Sequence, residues 1–138
     1  MKVLIATDGS PPSLAALNAF IAKRNWFAQP PQLAMINVHP TLPYASWAGK
    51  ENVARYYDEE GDAAFAPASA LLDQHALKHE KVKRVGEPAH EIVNYAEGWG
   101  ADLVIMGTHG HSGVTNILLG SVAQKVLAAS TIPVLLLR

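Results

Sequence analysis

Cysteine is absent from the 138 residues, which removes disulfides and thiolate metal sites from consideration. Charge is scarce: charged residues make up 17 % and the formal net charge is −1. Electrostatics therefore gives no reason to expect nucleic acid or an anionic membrane as a partner. No apolar run approaches the roughly 20 residues of a membrane span. The one near the N-terminus covers only residues 3–6 before Asp8, too short for a signal peptide. A soluble, cytoplasmic protein is expected. Internal repeats, low-complexity tracts and linkers are also missing. What is there is 49 % hydrophobic, which argues against disorder and for one domain over residues 1–138 with a sizeable core.

Taken in order, apolar runs alternate with helical stripes. Residues 3–6 read as a strand covered on both faces, as in a parallel sheet. Ser10 is a plausible N-cap and Pro11 suits a first helical position. Leu14, Leu17, Phe20 and Ile21 predict a helix to about Asn25 or Trp26. A second strand spans residues 33–38, interrupted by Asn37 and ended by His39 and Pro40. Residues 40–50 have no period and predict a long loop. A helical region follows over residues 52–78, with Pro67 expected to break or kink it. Residues 82–85 alternate with Lys81, Lys83 and Arg84 and suit an edge strand. Ala89, Ile92, Val93 and Ala96 predict a helix ended by Gly98 and Gly100. Strands over residues 103–106 and 134–137 flank a last helix marked by Val122, Ala123, Val126 and Leu127. The βαβαβαβαβ alternation predicts an α/β fold with a doubly wound parallel sheet.

Residues 103–127, LVIMGTHGHSGVTNILLGSVAQKVL, run from strand through glycine-rich loop to helix. Small residues let backbone approach a ligand, and a helix start offers free N–H groups and partial positive charge. The stretch holds neither GxxxxGK[ST] nor GxGxxG. Its spacing is Gly107-x2-Gly110-x9-Gly120-Ser121.

With MGTHGHSG before that spacing's long gap and LLGSVAQKVL after it, the stretch resembles the universal stress protein family. It is most similar to the ATP-binding branch, whose signature is G-x2-G-x9-G-[ST]. KVLIATDGS, NVHP, RVGEPAHEIVNYAEGWGADLVIMG and TIPVLLLR extend the resemblance over nearly the whole chain. The resemblance implies an adenine nucleotide alpha-hydrolase-like fold of five parallel strands in order 3-2-1-4-5. The sheet then reverses between strands one and four, where ligands of such folds sit. It implies ATP, with Mg²⁺ carried by the nucleotide, phosphates on Gly110, Gly120 and Ser121, and Val122 among the nucleotide-binding residues. It also implies adenine against Val38, Asp8 near adenine and ribose beside Thr7, and Met106, Gly107 and His109 along the ribose and phosphate path. His109 stands where family members often carry Arg, so binding is expected to strengthen as the pH falls and the imidazole gains charge. A homodimer through residues 133–138 is implied as well, since an uncovered apolar edge is a pairing site.

Plainer readings stand beside these. Gly107 and Gly110 also read as turn glycines, and Asp8 as a rival of Ser10 for the helix cap. Ser121 to Gln124 reads as a capping box that needs no ligand. His75 and His79, four apart, read as a surface pair on one helix face rather than a metal site. The expected function is a nucleotide-dependent regulatory module. A slow ATPase without a Walker lysine, with no catalytic residue assigned, and a nucleotide-free interaction protein are the alternatives.

Overall fold

The computed structural model describes residues 1–43, 47, 49–110 and 119–138. Strand β1 (Lys2–Ala6) leads to helix α1 (Pro11–Ala22), a short 3-10 turn (Arg24–Trp26) and β2 (Gln32–His39). Helix α2 (Lys50–Gln74), β3 (His79–Val85), α3 (Pro88–Trp99), β4 (Leu103–Gly107), α4 (Ser121–Ala129) and β5 (Val134–Leu137) follow. The five strands form one parallel sheet in the order β3-β2-β1-β4-β5. Charged β3 is an edge, as its sequence predicts.

The continuous apolar runs have the expected cause: both faces of the sheet are covered. Leu4, Ala34, Ile36, Val104 and Met106 pack against Ile92, Val93 and Ala96 of α3 and Ala123 and Val126 of α4. Val3, Ile5, Leu33, Met35 and Ile105 pack against Leu17, Phe20 and Ile21 of α1 and Phe65, Ala68 and Leu72 of α2. Side chains alternate across each strand, so consecutive apolar residues serve opposite layers.

Ser10 caps α1 by accepting from the Ser13 N–H, and Gly100 ends α3 in the left-handed region. Two helices depart from their expected bounds. Helix α1 stops at Ala22 rather than near Trp26, because the Arg24 guanidinium takes the Ile21 carbonyl (3.1 Å) and the chain tightens into the 3-10 turn. Helix α2 starts at Lys50, inside the expected loop, and runs unbroken through Pro67. Pro67 deprives the Ala63 carbonyl of a partner, but both residues are exposed, so water can serve it. Phe65, Ala68 and Leu72 meanwhile hold the helix to the sheet. It ends at Gln74 rather than Lys78, where Ala76 turns left-handed (φ 54°) and the Leu77 N–H reaches the Leu72 carbonyl. His79 therefore lies on β3 and not on a helix with His75. It is no surface pair either: its ring bonds the Leu77 carbonyl and Ser69 hydroxyl, with its side chain 7 % exposed.

Lys83 seats α2 on the sheet. Its ammonium meets Asp58 (2.6 Å) and Asp62 (2.7 Å), and its stem crosses Gly61, where a Cβ would lie 2.8 Å from Lys83 Cδ.

Candidate functional site

Strands β2 and β4 flank β1 and leave it in opposite sequence directions, so the reversal lies between β1 and β4. Connections on either side of such a reversal diverge and leave a crevice at the strands' carboxyl ends. A cleft of about 640 Å³ opens there, within the usual size range of small-molecule sites. Thr7, Asp8, Val38, Met106, Gly107, His109, Gly110, Gly120, Ser121 and Val122 all line it. The structure thus brings to one cleft the ten residues that the resemblance implies for the nucleotide. Gly113, with His111, Ser112 and Thr115, lies outside the described residues, as do residues 44–46 and 48 of the expected loop.

The loop after β1 is held by short bonds. The Thr7 N–H continues the ladder to the Ile36 carbonyl (3.0 Å), and the Thr7 and Ser13 hydroxyls share a bond of 2.6 Å. The Gly9 N–H donates to Thr7 Oγ1 (3.2 Å) and the Ser10 N–H to Asp8 Oδ1 (3.0 Å). Asp8 and Ser10 do not compete: one shapes the turn and the other caps α1. Gly9 has φ 74°, and a Cβ there would lie 2.9 Å from Ala64 Cα and O. Conformation and space both demand glycine.

Across the cleft, the glycines are used for space. Gly107, Gly110 and Gly120 are not among the positive-φ residues. A Cβ on Gly110 would sit 2.8 Å from Asp8 Oδ2, so the two loops meet at that point. A Cβ on Gly120 would approach the Thr108 carbonyl to 3.2 Å, the same oxygen that accepts from the Gly120 N–H at 2.7 Å. Close neighbours, rather than a left-handed turn, are what call for glycine at these positions.

Helix α4 begins at Ser121 with Gly120 as its cap and no side-chain cap bond. The expected capping box is not formed. Ser121 is one residue too far along to cap, and Gln124 Nε2 donates instead to the Leu119 carbonyl (2.8 Å). The helix start points into the cleft, where free N–H groups and the helix dipole favour an anion. Among the described lining residues there is no lysine or arginine; the ionisable ones are Asp8, His39, Glu60 and His109. His109 Nδ1 lies 2.9 Å from Thr108 Oγ1.

Several lining residues carried no readable signal. Glu60, Ala63 and Ala64 come from α2 and form one wall, and Pro88 and Ile92 come from α3. Their placement depends on how each helix is rotated on the sheet, which local sequence does not announce. His39, read only as a strand end, lies 3.9 Å from Glu60 and packs against the rings of Tyr56 and Tyr57. Tyr57 anchors the following loop by accepting from the Leu42 N–H (2.8 Å). Trp47 is no such anchor, being 89 % exposed.

A parallel sheet covered on both faces, in this order and with its cleft at the reversal, defines a doubly wound α/β protein. Within that class, the universal stress protein family matches residues 1–138, and the chain belongs to it. The chain is 34 % identical over 138 residues to universal stress protein MJ0531 of Methanocaldococcus jannaschii, covering 99 % of this chain and 81 % of that protein. The solved structure of MJ0577, from the same organism, superimposes with a TM-score of 0.84 at 31 % identity, covering 99 % of this chain and 94 % of that one. A universal stress protein solved in complex with cAMP gives a TM-score of 0.60 at 26 % identity, covering 100 % and 96 %.

Proposed function

We propose that residues 1–138 act as one ATP-binding regulatory domain of the universal stress protein family, working as a homodimer. The supporting observation is convergence: the loops after β1 and β4, the end of β2 and the start of α4 all line one cleft. The phosphates lie along Gly110, Gly120, Ser121 and Val122, on main-chain N–H groups with no cationic side chain among the described lining residues. The hydroxyl of Ser121, freed from capping, adds a donor. Adenine rests against Val38, with Asp8 and Thr7 toward the ribose, while Met106, Gly107 and His109 line the path between. Mg²⁺ carried with the nucleotide would supply countercharge to the phosphates. The residues fit such a tail because helix α4 starts at the cleft with no side chain bonded to its cap, which leaves its first N–H groups for an anion. Occupancy regulates by binding two states of the protein with different affinity.

Calorimetry on nucleotide-stripped protein tests this. Heat and a thermal shift with Mg-ATP are expected; neither at millimolar ATP removes the proposal. A second reading, favoured by the relative solved with cAMP, is that another adenine nucleotide is the natural ligand. Displacement of labelled ATP by cAMP or AMP at lower concentration than by unlabelled ATP selects it.

A further inference from the structure

Among the described residues the buried polar ones are Thr7, Ser10, Ser13, Asn37 and Ser69, and all but Ser69 gather where β1 ends and α1 begins. Local needs account for three of them: Ser10 caps α1, and the Thr7 and Ser13 hydroxyls share a bond. Asn37 comes from elsewhere. It follows Leu33, Ala34, Met35 and Ile36, all buried, in a strand whose pattern calls for another apolar residue. A buried amide is costly unless its groups are bonded. Asn37 Nδ2 donates to the Thr7 carbonyl at 2.9 Å. The residue pairing of β1 with β2 ends at Ala6 and Ile36. Asn37 thus adds a side-chain rung just beyond the point where paired backbone stops.

We propose that Asn37 is a positioning residue: its amide pins the Thr7 carbonyl and so sets the turn that presents Asp8 to Gly110. This rests on the nucleotide reading of the cleft. Thr7 is then held at its nitrogen by Ile36, at its carbonyl by Asn37 and at its hydroxyl by Ser13 and the Gly9 N–H. Each of these bonds anchors the residue immediately before Asp8. Removing the amide leaves the carbonyl without its partner, and the turn gains freedom where the ligand needs order.

The test uses the whole chain with Asn37→Leu, which keeps the size and suits the strand, and Asn37→Asp, which keeps the shape and loses the donor. Asn37→His restores a ring N–H at similar reach from the backbone. Hydrogen exchange in the ligand-free protein should show the Gly9 and Ser10 amides opening about tenfold faster in the Leu and Asp variants, the scale of one ordinary hydrogen bond. Amides within β2 should keep their protection. The ATP dissociation constant should rise by a similar factor, and the His variant should recover part of both. If Asn37→Leu fails to fold, the Asp and His pair carries the same comparison. Unchanged exchange at Gly9 and Ser10, or equal loss of affinity in the His and Asp variants, overturns the proposal. Failure of the parent protein to bind ATP overturns the nucleotide reading instead, and the ligand-free exchange data tell the two failures apart.

Discussion

At the scale of single residues, the cleft depends on small side chains for different reasons, and substitution separates them. Gly110→Ala puts a methyl 2.8 Å from Asp8 Oδ2, the movable end of a side chain. The fold should survive with little change in melting temperature, while calorimetry shows about tenfold weaker ATP binding, as expected from one displaced polar contact. Gly9→Ala meets Ala64 backbone and forces φ 74° on a residue with a Cβ. It should cost at least about 1–3 kcal/mol in urea unfolding. Ser121→Ala removes no cap bond. Its stability should stay within about 0.5 kcal/mol of the parent, so any loss of ATP affinity belongs to the hydroxyl and the ligand. The spacing of Gly107, Gly110 and Gly120 picks out residues that line the cleft. It did not reveal that these glycines make room while Gly9 turns the chain, because a one-letter pattern carries neither φ nor the neighbour a Cβ would meet.

At the scale of elements, helix α2 is where local sequence misled. Its proline was expected to interrupt it, and its glycine-free end gave no stop signal. Packing by Phe65, Ala68 and Leu72 overrode the first, and the left-handed Ala76 supplied the second. Pro67→Ala should restore an N–H to the Ala63 carbonyl and stabilise the fold by about 1 kcal/mol or more in urea. The start of α3 offers a pH test. Glu87 accepts from the His90 N–H (2.8 Å) and meets the Lys125 ammonium (3.0 Å), tying α3 to α4. Chiefly the His90 bond, and then Lys125, holds its carboxyl below the usual glutamate range. A lowered folded pKa stabilises above the unfolded value, and the gain disappears as pH falls through the folded value. Glu87→Gln should therefore lower the urea midpoint at neutral pH, modestly for so exposed a pair. The gap should close on the acid side of about pH 4.

For the whole molecule, alternation of strand and helix made the sheet legible, because covered strands need apolar residues on both faces. The strand order came from the resemblance, since no local pattern says which strand lies beside which. That order leaves β5 at the edge opposite β3. Its alternate residues Val134 and Leu136 pack into one layer and Leu135 and Leu137 into the other, so its outer side offers backbone groups for pairing. The proposed homodimer uses this edge at residues 133–138. Light scattering at micromolar concentration should return twice the chain mass of 14.8 kDa; a monomer alone removes the dimer from the proposal.

The central place of β1 has a further effect during synthesis. One of its flanks meets β2, but the other waits for β4, and the Lys2 N–H finds Asp102 across 100 positions of chain. At about 5–20 residues per second, a ribosome takes roughly 5–20 s to make that stretch. Strand β1 thus stays open along one side until β4 has been made, and this interval sets how long that flank of the nascent chain needs shielding from its neighbours.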